Sequence, residues 1–357
     1  MHWFRNFIVC FAATLCVALV HAPTQAQTLG IAAKKPVFAG ACAMCPWGEL
    51  GDFVHDAMKP AGFDVQVCYN CNLNGGAPRF VGDRVMPPAL DQHAHDLHTF
   101  TRPNAPPDFG VTNTTALRSA YLGTDQYKTD GPRRQLRFIA KIEDPSYLIV
   151  AVKKSSGITD LKQIAAKHLP VRIVTGGTGV DVILKYYGLD KISSWGGSLN
   201  AGGFAGQGGM NDIHKKPEFD VAISGGASLG ANPEVNFWYE STQKFDLTFM
   251  QLPNDLLNQI RQVNRGSMLV YMPIEYMRGV DRKILTVGRS GQAIMTRADV
   301  SDAFAYEVAK AVDQHRDMLK WHIRPYSYDP RTVTESDGVP LHPGAERYYR
   351  EAGYLKK

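Results

Sequence analysis

The chain has 357 residues, a formal net charge of +5 and 44% hydrophobic residues. This length is too great for a single hydrophobic core and predicts two lobes of about 150 residues each. The basic residues are scattered in isolated pairs such as Arg133-Arg134, without a basic stripe and interleaved aromatic residues, so we expect no nucleic-acid partner. The small positive balance is compatible with an anionic ligand.

The N-terminus has the layout of a secretory signal peptide. His2 and Arg5 precede an uncharged, mostly apolar run over residues 7–20, and a Thr-Gln-Ala sequence at 24–26 offers a cleavage site. We therefore assign residues 1–26 to a signal peptide and expect a soluble mature protein in the periplasm. An uncleaved membrane anchor is the alternative, although a spanning helix needs about 20 apolar residues.

Hydrophobic spacing and turn residues predict alternating strands and helices along the chain. The predicted strands are residues 36–40, 63–67, 109–111, 136–140, 147–152, 171–174 and 219–223. The predicted helices are residues 50–58, 159–167, 180–187 and 298–321, with a last helix that begins at Pro343 and stops at Gly353. The rest of residues 72–115 is rich in Pro, Gly, Asn and His and is predicted to be loop. The strand–helix–strand beginning is typical of an α/β protein.

Residues 341–354 read LHPGAERYYREAGY, which resembles the C-terminal signature of the TAXI family, the solute-binding subunits of TRAP transporters. Shorter segments are similar to family segments in the same order: PWGELG at 46–51, NGGA at 74–77, SGITDL at 156–161, TGGTG at 175–179 and FDVA at 219–222. Two stretches depart from the family pattern, the cysteine-containing loop at 41–45 and the glycine-rich stretch at 195–210. The chain is therefore identified as a divergent member.

The resemblance implies a two-lobed α/β fold of the periplasmic-binding-protein type II kind, in which helices flank a mixed or parallel sheet in each lobe. The chain would cross between the lobes near 145–152 and 286–296, with a ligand in the cleft. This assigns residues 27–148 and 286–357 to the first lobe and 149–285 to the second. The glycine-rich stretch at 195–210 lacks the strand and the spacing of a dinucleotide site and is expected to be a mobile loop near the cleft.

The resemblance also implies a binding protein and not an enzyme. It would be a monomer without a cofactor that delivers a small organic anion, a carboxylate or an amino acid, to the membrane permease of a TRAP transporter. The absence of an H-E-x-x-H motif agrees with this interpretation. Two alternatives remain open, a binding subunit of an ABC transporter and a periplasmic metal or thiol-redox protein.

Ligands of α/β proteins bind in loops at the carboxyl ends of the strands, which directs attention to the loops after the predicted strands. The candidate ligand-binding residues are Met44, Trp47, Gly76, Asn113, Thr175, Gly177, Thr178, Gly179, Ser224 and Gly225. Residues 175–179 precede a helix and could hold an anion with backbone N–H groups, whereas a plain tight turn is the alternative. Trp47 is expected to form an apolar or stacking wall.

Four cysteines remain after the predicted cleavage, in two C-x-x-C pairs that follow the first two strands. They are Cys42, Cys45, Cys68 and Cys71. An oxidising compartment favours two disulfides, and we expect bridges between the two loops and not within each pair. A tetrahedral zinc site is the alternative.

A histidine cluster with neighbouring aspartates lies in the long predicted loop. Its members are His93, His95, His98, Asp91 and Asp96. Such a tract can bind zinc or copper, but a solvated loop is favoured because no helix holds the side chains together.

Overall fold

The structure is a computed structural model that describes residues 29–40, 46–69, 71–72, 75–87, 103, 105–177, 179–201, 219–227, 237–263, 267–289, 291–319 and 327–355. In chain order the elements are α1 (Leu29–Ala32), β1 (Val37–Ala39), α2 (Pro46–Met58), β2 (Gln66–Cys68), α3 (Gly76–Asp83), β3 (Phe109–Asn113), α4 (Thr114–Leu122), β4 (Leu136–Ile142), β5 (Ser146–Lys153), α5 (Lys162–Ala166), β6 (Arg172–Gly177), α6 (Val180–Tyr186), β7 (Ser198–Ala201), β8 (Val221–Ala227), α7 (Phe237–Lys244), β9 (Leu247–Phe249), α8 (Asn254–Val263), β10 (Met268–Met272), β11 (Ile284–Arg289), β12 (Gln292–Arg297), α9 (Asp302–Gln314) and α10 (Pro343–Glu351).

The strands form two separate mixed sheets. The first sheet has the order β2-β1-β3-β12-β4, in which β1 is parallel to β2 and β3, whereas β12 is antiparallel to β3 and β4. The second has the order β10-β11-β5-β8-β6-β7, with β9 paired to the end of β5. In this sheet β6 is parallel to β7 and β8, and β5 is antiparallel to β8. The predicted α/β class with helix-flanked mixed sheets is confirmed.

Each sheet has a hydrophobic core on both of its faces, because alternate side chains of a strand point to opposite faces. On one face of the first sheet Phe38 and Phe109 pack with Phe304 of α9, and the Phe109 and Phe304 rings meet edge to face at 5.2 Å. The neighbouring Val37 contributes to the other face, below α3 and α4. The second sheet is likewise covered by α5, α6 and α8 on one face and by α7 on the other.

The chain passes from the first sheet to the second between Ile142 and Ser146 and returns between Arg289 and Gln292. Residues 146–289 therefore form an insertion between β4 and β12, two strands that are paired neighbours in the first sheet. The lobe boundaries predicted at 148/149 and 285/286 lie close to these crossings, and the division of the chain into lobes stays a prediction.

Three predicted elements are corrected by the structure. The long loop over 72–115 contains α3, which the glycine-rich composition concealed; Gly75 precedes this helix with a φ of 70°. The second strand lies later than predicted, at Gln66–Cys68. The helix predicted over 298–321 begins after a Ser301 cap and ends at Gln314, where Arg316 turns back to bond the carboxylate of Asp313 and the chain tightens into a 3₁₀ turn.

The C-terminal helix α10 is fixed by buried polar contacts as well as by packing. At its start the wholly buried His342 accepts the Gly344 N–H at Nδ1 and donates from Nε2 to the Val300 carbonyl, and burial lowers the pKa of this histidine. Near its end the hydroxyls of Tyr348 and Tyr354 both donate to Asp313 of α9. Among the described residues, the helices are all too short or too polar to span a bilayer.

Candidate functional site

The carboxyl ends of the first sheet's parallel strands lie at the edge where the chain leaves that sheet. Asn113, the last residue of β3, is opposite Gln292, and Gln292 is also opposite Ile142 at the end of β4. Both crossings therefore begin or end beside the carboxyl end of β3.

The second sheet presents the corresponding edge to the same crossings. Tyr147, at the start of β5, is opposite Ala227 at the end of β8, and Gly225 of β8 is opposite Gly177 at the end of β6. The carboxyl ends of the parallel strands in both sheets thus lie next to the two crossings. Ligands of α/β proteins bind at such strand ends, which makes this junction the candidate site.

Four polar residues concentrate at the junction, namely Glu49, Asp144, Arg289 and Gln292, and we call them the junction cluster. Asp144 lies in the first crossing and accepts a hydrogen bond of 2.6 Å from Nε2 of Gln292, and both side chains are buried. Within the described part of the chain, Oε1 of Gln292 is buried without a hydrogen-bond partner. Arg289 is the last residue of β11, opposite Ser146, and is partly buried.

The charges of the junction cluster are electrostatically coupled. Burial, together with the nearby carboxylates of Asp52 and Asp144, raises the pKa of Glu49 to about 7. Burial lowers the pKa of Arg289, and the charge of Asp144 opposes that shift. Asp52 accepts a short hydrogen bond from the hydroxyl of Tyr69, which follows β2. Acidic groups from α2 and the first crossing therefore share this region with one arginine.

The raised pKa of Glu49 makes stability depend on pH. The folded protein retains a proton on Glu49 between its ordinary pKa of 4.5 and about 7, whereas the unfolded chain has lost it. The stabilising contribution is therefore complete below pH 4.5 and is lost as the pH rises through 7. We expect Glu49→Gln to unfold with less pH dependence over this window. At pH 8 it should be more stable than wild type by about 1 kcal/mol, less than the full shift implies because the carboxyl is partly exposed.

The matched control is Asp181→Asn, which changes an exposed carboxylate in the first turn of α6. Urea unfolding at several pH values from 4.5 to 8 measures the difference between the variants. Equal pH dependence in wild type and Glu49→Gln would contradict a shifted carboxyl at this position.

Two of the four predicted ligand residues in the first lobe, Asn113 and Gly76, have structural roles. Asn113 is buried and caps α4, with its Oδ1 accepting the Ala116 N–H at 2.7 Å. Gly76 is the buried first residue of α3, and a Cβ there would lie 2.5 Å from the Cys71 carbonyl oxygen. Trp47 lies in the first turn of α2. Met44 lies outside the described residues. Ligand binding by these four residues stays a prediction.

In the second sheet, Thr175 and Ser224 are buried strand residues, and Gly225 is half-buried. Gly177 has a φ of 84°, and a Cβ there would collide with the Gly225 carbonyl. Gly179 has a φ of 86° and precedes α6, where a Cβ would lie 2.7 Å from Ile260 of α8. The two loop glycines therefore have packing roles, and anion binding by this loop stays a prediction. Thr178 is outside the described residues.

The expected disulfide connectivity is wrong for one pair of cysteines. Cys68 and Cys71 are bonded to each other, with Cα atoms 5.7 Å apart. The chain turns directly after β2, with the Cys71 N–H donating to the Cys68 carbonyl, so the partner sulfur is supplied locally. Both residues are buried beneath α3 and α4. Cys42 and Cys45 lie outside the described residues.

The Cys68–Cys71 bond is expected to stabilise the fold modestly, because it closes a very short loop. The double variant Cys68→Ser/Cys71→Ser should lose about 2 kcal/mol of unfolding free energy. Digestion of unreduced protein before aspartates, which cuts at Asp52, Asp56 and Asp64, should release an internally bridged Cys68/Cys71 peptide, lighter by two hydrogens than its reduced form. A peptide that joins Cys68 or Cys71 to the 42–45 segment would contradict the bond; urea unfolding of Cys42→Ser/Cys45→Ser provides the comparison.

Among the described residues, no three His, Cys, Asp or Glu side chains come together to hold a metal ion. The predicted signal peptide, the cluster of His93, His95 and His98, and residues 202–210 of the glycine-rich stretch lie outside those residues.

An open surface groove of about 390 Å³ runs between residues 334–341 and α10, and it includes no member of the junction cluster.

Sequence reasoning missed the junction cluster. The predicted crossing over 286–296 contained Arg289 and Gln292, and polar residues beside a crossing are the signal that could have found them. The sequence alone did not distinguish them from the many other polar residues near strand ends.

Comparison with known proteins identifies the family. A model of the NMT1-like family matches residues 104–353. Similar solved structures include a TctC solute-binding protein from Polaromonas, 14% identical over 90% of this chain and 98% of that chain, at a TM-score of 0.41. They also include MatC from Rhodopseudomonas palustris with bound malate, 8% identical over 88% and 98%, at 0.41. Iron-bound HitA from Pseudomonas aeruginosa is 12% identical over 89% and 99%, at 0.35.

These structural similarities are too distant to indicate a ligand, whereas the family match spans more than half of the 357 residues and includes the C-terminal helix α10. The chain belongs to the NMT1-like family.

Proposed function

We propose that the protein is a solute-binding protein of the periplasm, which holds a small organic solute between its two sheets. The observation that carries the proposal is the junction: the carboxyl ends of the parallel strands of both sheets flank two short crossings. Two lobes joined by two short segments can close around a ligand by a hinge motion. Binding and closure, without catalysis, are then the whole activity.

The finer proposal is that the protein serves a TRAP transporter as a TAXI-type subunit and takes an anionic solute, a carboxylate or an amino acid. The LHPGAERYYREAGY string at residues 341–354 supports this proposal. A neighbouring gene for a fused TRAP permease would support it further. A neighbouring gene for a transport ATPase would favour the ABC alternative instead.

We further propose that the loops at the strand ends contact the solute. Trp47 supplies a wall from the first lobe, and backbone N–H groups of residues 177–179 contribute from the second. Met44, Gly76, Asn113, Ser224 and Gly225 lie on the same loops or strand ends.

A thermal-shift screen of organic acids and amino acids tests the function, followed by calorimetric titration of the solute that stabilises most. Trp47→Ala and Thr178→Val should each weaken binding, whereas Tyr271→Ala, at an exposed position on β10, should not. Unchanged affinity in both loop variants would show that these loops do not form the site. A screen without any stabilising solute, or stoichiometric zinc that survives dialysis, would contradict solute binding as the function.

A further inference from the structure

We propose that Arg289 binds the anionic group of the solute, and that Gln292 is a positioning residue that keeps Asp144 from neutralising it. The inference rests on the proposed solute-binding function and adds to it a specific charge at the second crossing. The ligand chemistry is that of a carboxylate or a similar planar oxyanion.

Arg289 is exceptional among the arginines of the described chain. The other arginines there that are not fully exposed each have a hydrogen-bond partner: Arg79 bonds Asp130, Arg133 bonds Asp83, Arg137 bonds backbone carbonyls and Arg297 bonds Asp299. Arg289 is partly buried, yet within the described residues its guanidinium forms neither a hydrogen bond nor an ion pair.

An unpaired guanidinium in this position is unfavourable in the free protein. Arginine remains charged under all ordinary conditions. Withdrawal of a charge from water is costly unless an opposite charge and hydrogen bonds compensate, and the lowered pKa of Arg289 reflects that burial. A solute carboxylate would supply the missing partner, since the fork of N–H donors on arginine matches the two oxygens of a carboxylate.

Asp144 is the acidic residue whose charge acts on Arg289, and its carboxylate is hydrogen-bonded to Gln292. The Asp144 carboxylate accepts from Nε2 of Gln292 at 2.6 Å, and Gln292 itself is anchored as the wholly buried first residue of β12. This contact joins Asp144 to a strand of the first sheet. Arg289 ends the last strand of the second sheet before the return crossing, and its guanidinium has no ion-pair partner in the described part of the chain.

The location also links the anion to closure of the lobes. Arg289 pairs with Ser146, so the two crossings leave the second sheet side by side at this residue. An anion bound here contacts the second sheet next to both crossings and next to the carboxyl end of β8, which lies opposite Tyr147. Binding at this point can therefore favour one arrangement of the two sheets over another.

The first experiment needs no solute. In the ligand-free protein, Arg289→Met should raise the Tm by about 2 °C, because it removes an uncompensated charge. The control is Arg79→Met, which removes a half-buried arginine that is paired with Asp130 and should lower the Tm. A fall in the Tm of Arg289→Met as large as that of the control would show that Arg289 already has a stabilising partner, and would overturn the inference.

The second experiment measures binding of three carboxylates and their neutral amides: acetate and acetamide, succinate and succinamide, L-glutamate and L-glutamine. The wild type should bind at least one carboxylate more tightly than its amide. Arg289→Gln should weaken that binding about 30-fold or more, the usual effect of removing one partner of a buried charge pair. Arg289→Lys should fall between the two, and Arg118→Gln, at an exposed position on α4, should match wild type. Gln292→Leu should weaken carboxylate binding as well, because it removes the hydrogen bond between Gln292 and the Asp144 carboxylate, whose charge acts on Arg289.

The outcomes separate this inference from the proposed function. Carboxylate binding that survives Arg289→Gln unchanged overturns the role of Arg289 and leaves solute binding intact. Wild-type protein that binds only the neutral amides would likewise overturn the role of Arg289 and leave solute binding intact. A wild type that binds no member of the panel, in a thermal-shift screen that also finds no other solute, contradicts the proposed function and the inference together.

Discussion

Replacement of Asp313 by alanine is expected to lower the free energy of unfolding by about 3 kcal/mol, because it removes a buried acceptor that several donors share. Asp313 lies on α9 and accepts hydrogen bonds from the hydroxyls of Tyr348 and Tyr354 and from Arg316. The loss leaves the buried Tyr348 hydroxyl without the carboxylate that accepts its hydrogen bond. The same contacts join α10 and the residues after it to α9.

Urea unfolding measures the effect, with Asp317→Ala as the matched control. Asp317 lies four positions further along in an exposed turn and should change stability by less than about 0.5 kcal/mol. Tyr348→Phe removes a single hydrogen bond and should cost about 1 kcal/mol. If Asp313→Ala proved as stable as Asp317→Ala, the polar contacts between α9 and α10 would contribute nothing to the fold.

Gly177→Ala is expected to destabilise the protein by about 2–4 kcal/mol, because two independent costs coincide there. The residue has a φ of 84°, a region that side chains other than glycine rarely adopt. A Cβ would also collide with the carbonyl of Gly225 on the paired strand, and a backbone atom cannot move aside as the end of a side chain can. The ends of β6 and β8 would have to separate at the edge that faces the junction.

Gly157→Ala provides the control that separates the two costs. Gly157 has a φ of 65°, but no atom lies within 4 Å of the position of its Cβ. Only the backbone strain applies, and we expect a loss of about 1 kcal/mol. Unfolding of both variants, with titration of any solute found in the screen, measures the difference. Equal losses would show that the Gly177–Gly225 approach is not tight, and unchanged binding in Gly177→Ala would remove this loop from the candidate site.

Elements with local signals were predictable from the sequence. Helix α2 carries its own apolar spacing, and the 3₁₀ turn that follows it stops where Gly62 adopts a φ of 81°. The last helix, α10, begins at Pro343 as its composition indicates. By contrast, β12 is buried along its entire length yet contains Gln292, Thr296 and Arg297, which break the hydrophobic pattern of a central strand. Each of those polar side chains forms a hydrogen bond with a residue distant in the sequence, such as the Asp108 carbonyl for Thr296, so no short window of sequence reveals the strand.

The crossings were expected from the family resemblance near residues 145–152 and 286–296, and a ligand site beside them stays a prediction. The polar residues that the structure brings together there could not be read from the sequence. The hydrogen bond from Gln292 to Asp144 joins residues 148 positions apart, so no local pattern in the sequence indicates it. The disulfide shows the opposite case, since a local turn decided its connectivity while the sequence argument looked for a distant partner.

The insertion of residues 146–289 between two neighbouring strands fixes the order in which the sheets can be completed as the chain emerges N-terminus first. β12 lies between β3 and β4, so until residue 297 has appeared these two strands have unpaired edges facing an empty position. The second sheet contains only β5 to β11 and is complete earlier. The first sheet, although it begins the chain, is therefore the last to close, and a nascent chain that stops before residue 292 exposes two aggregation-prone strand edges.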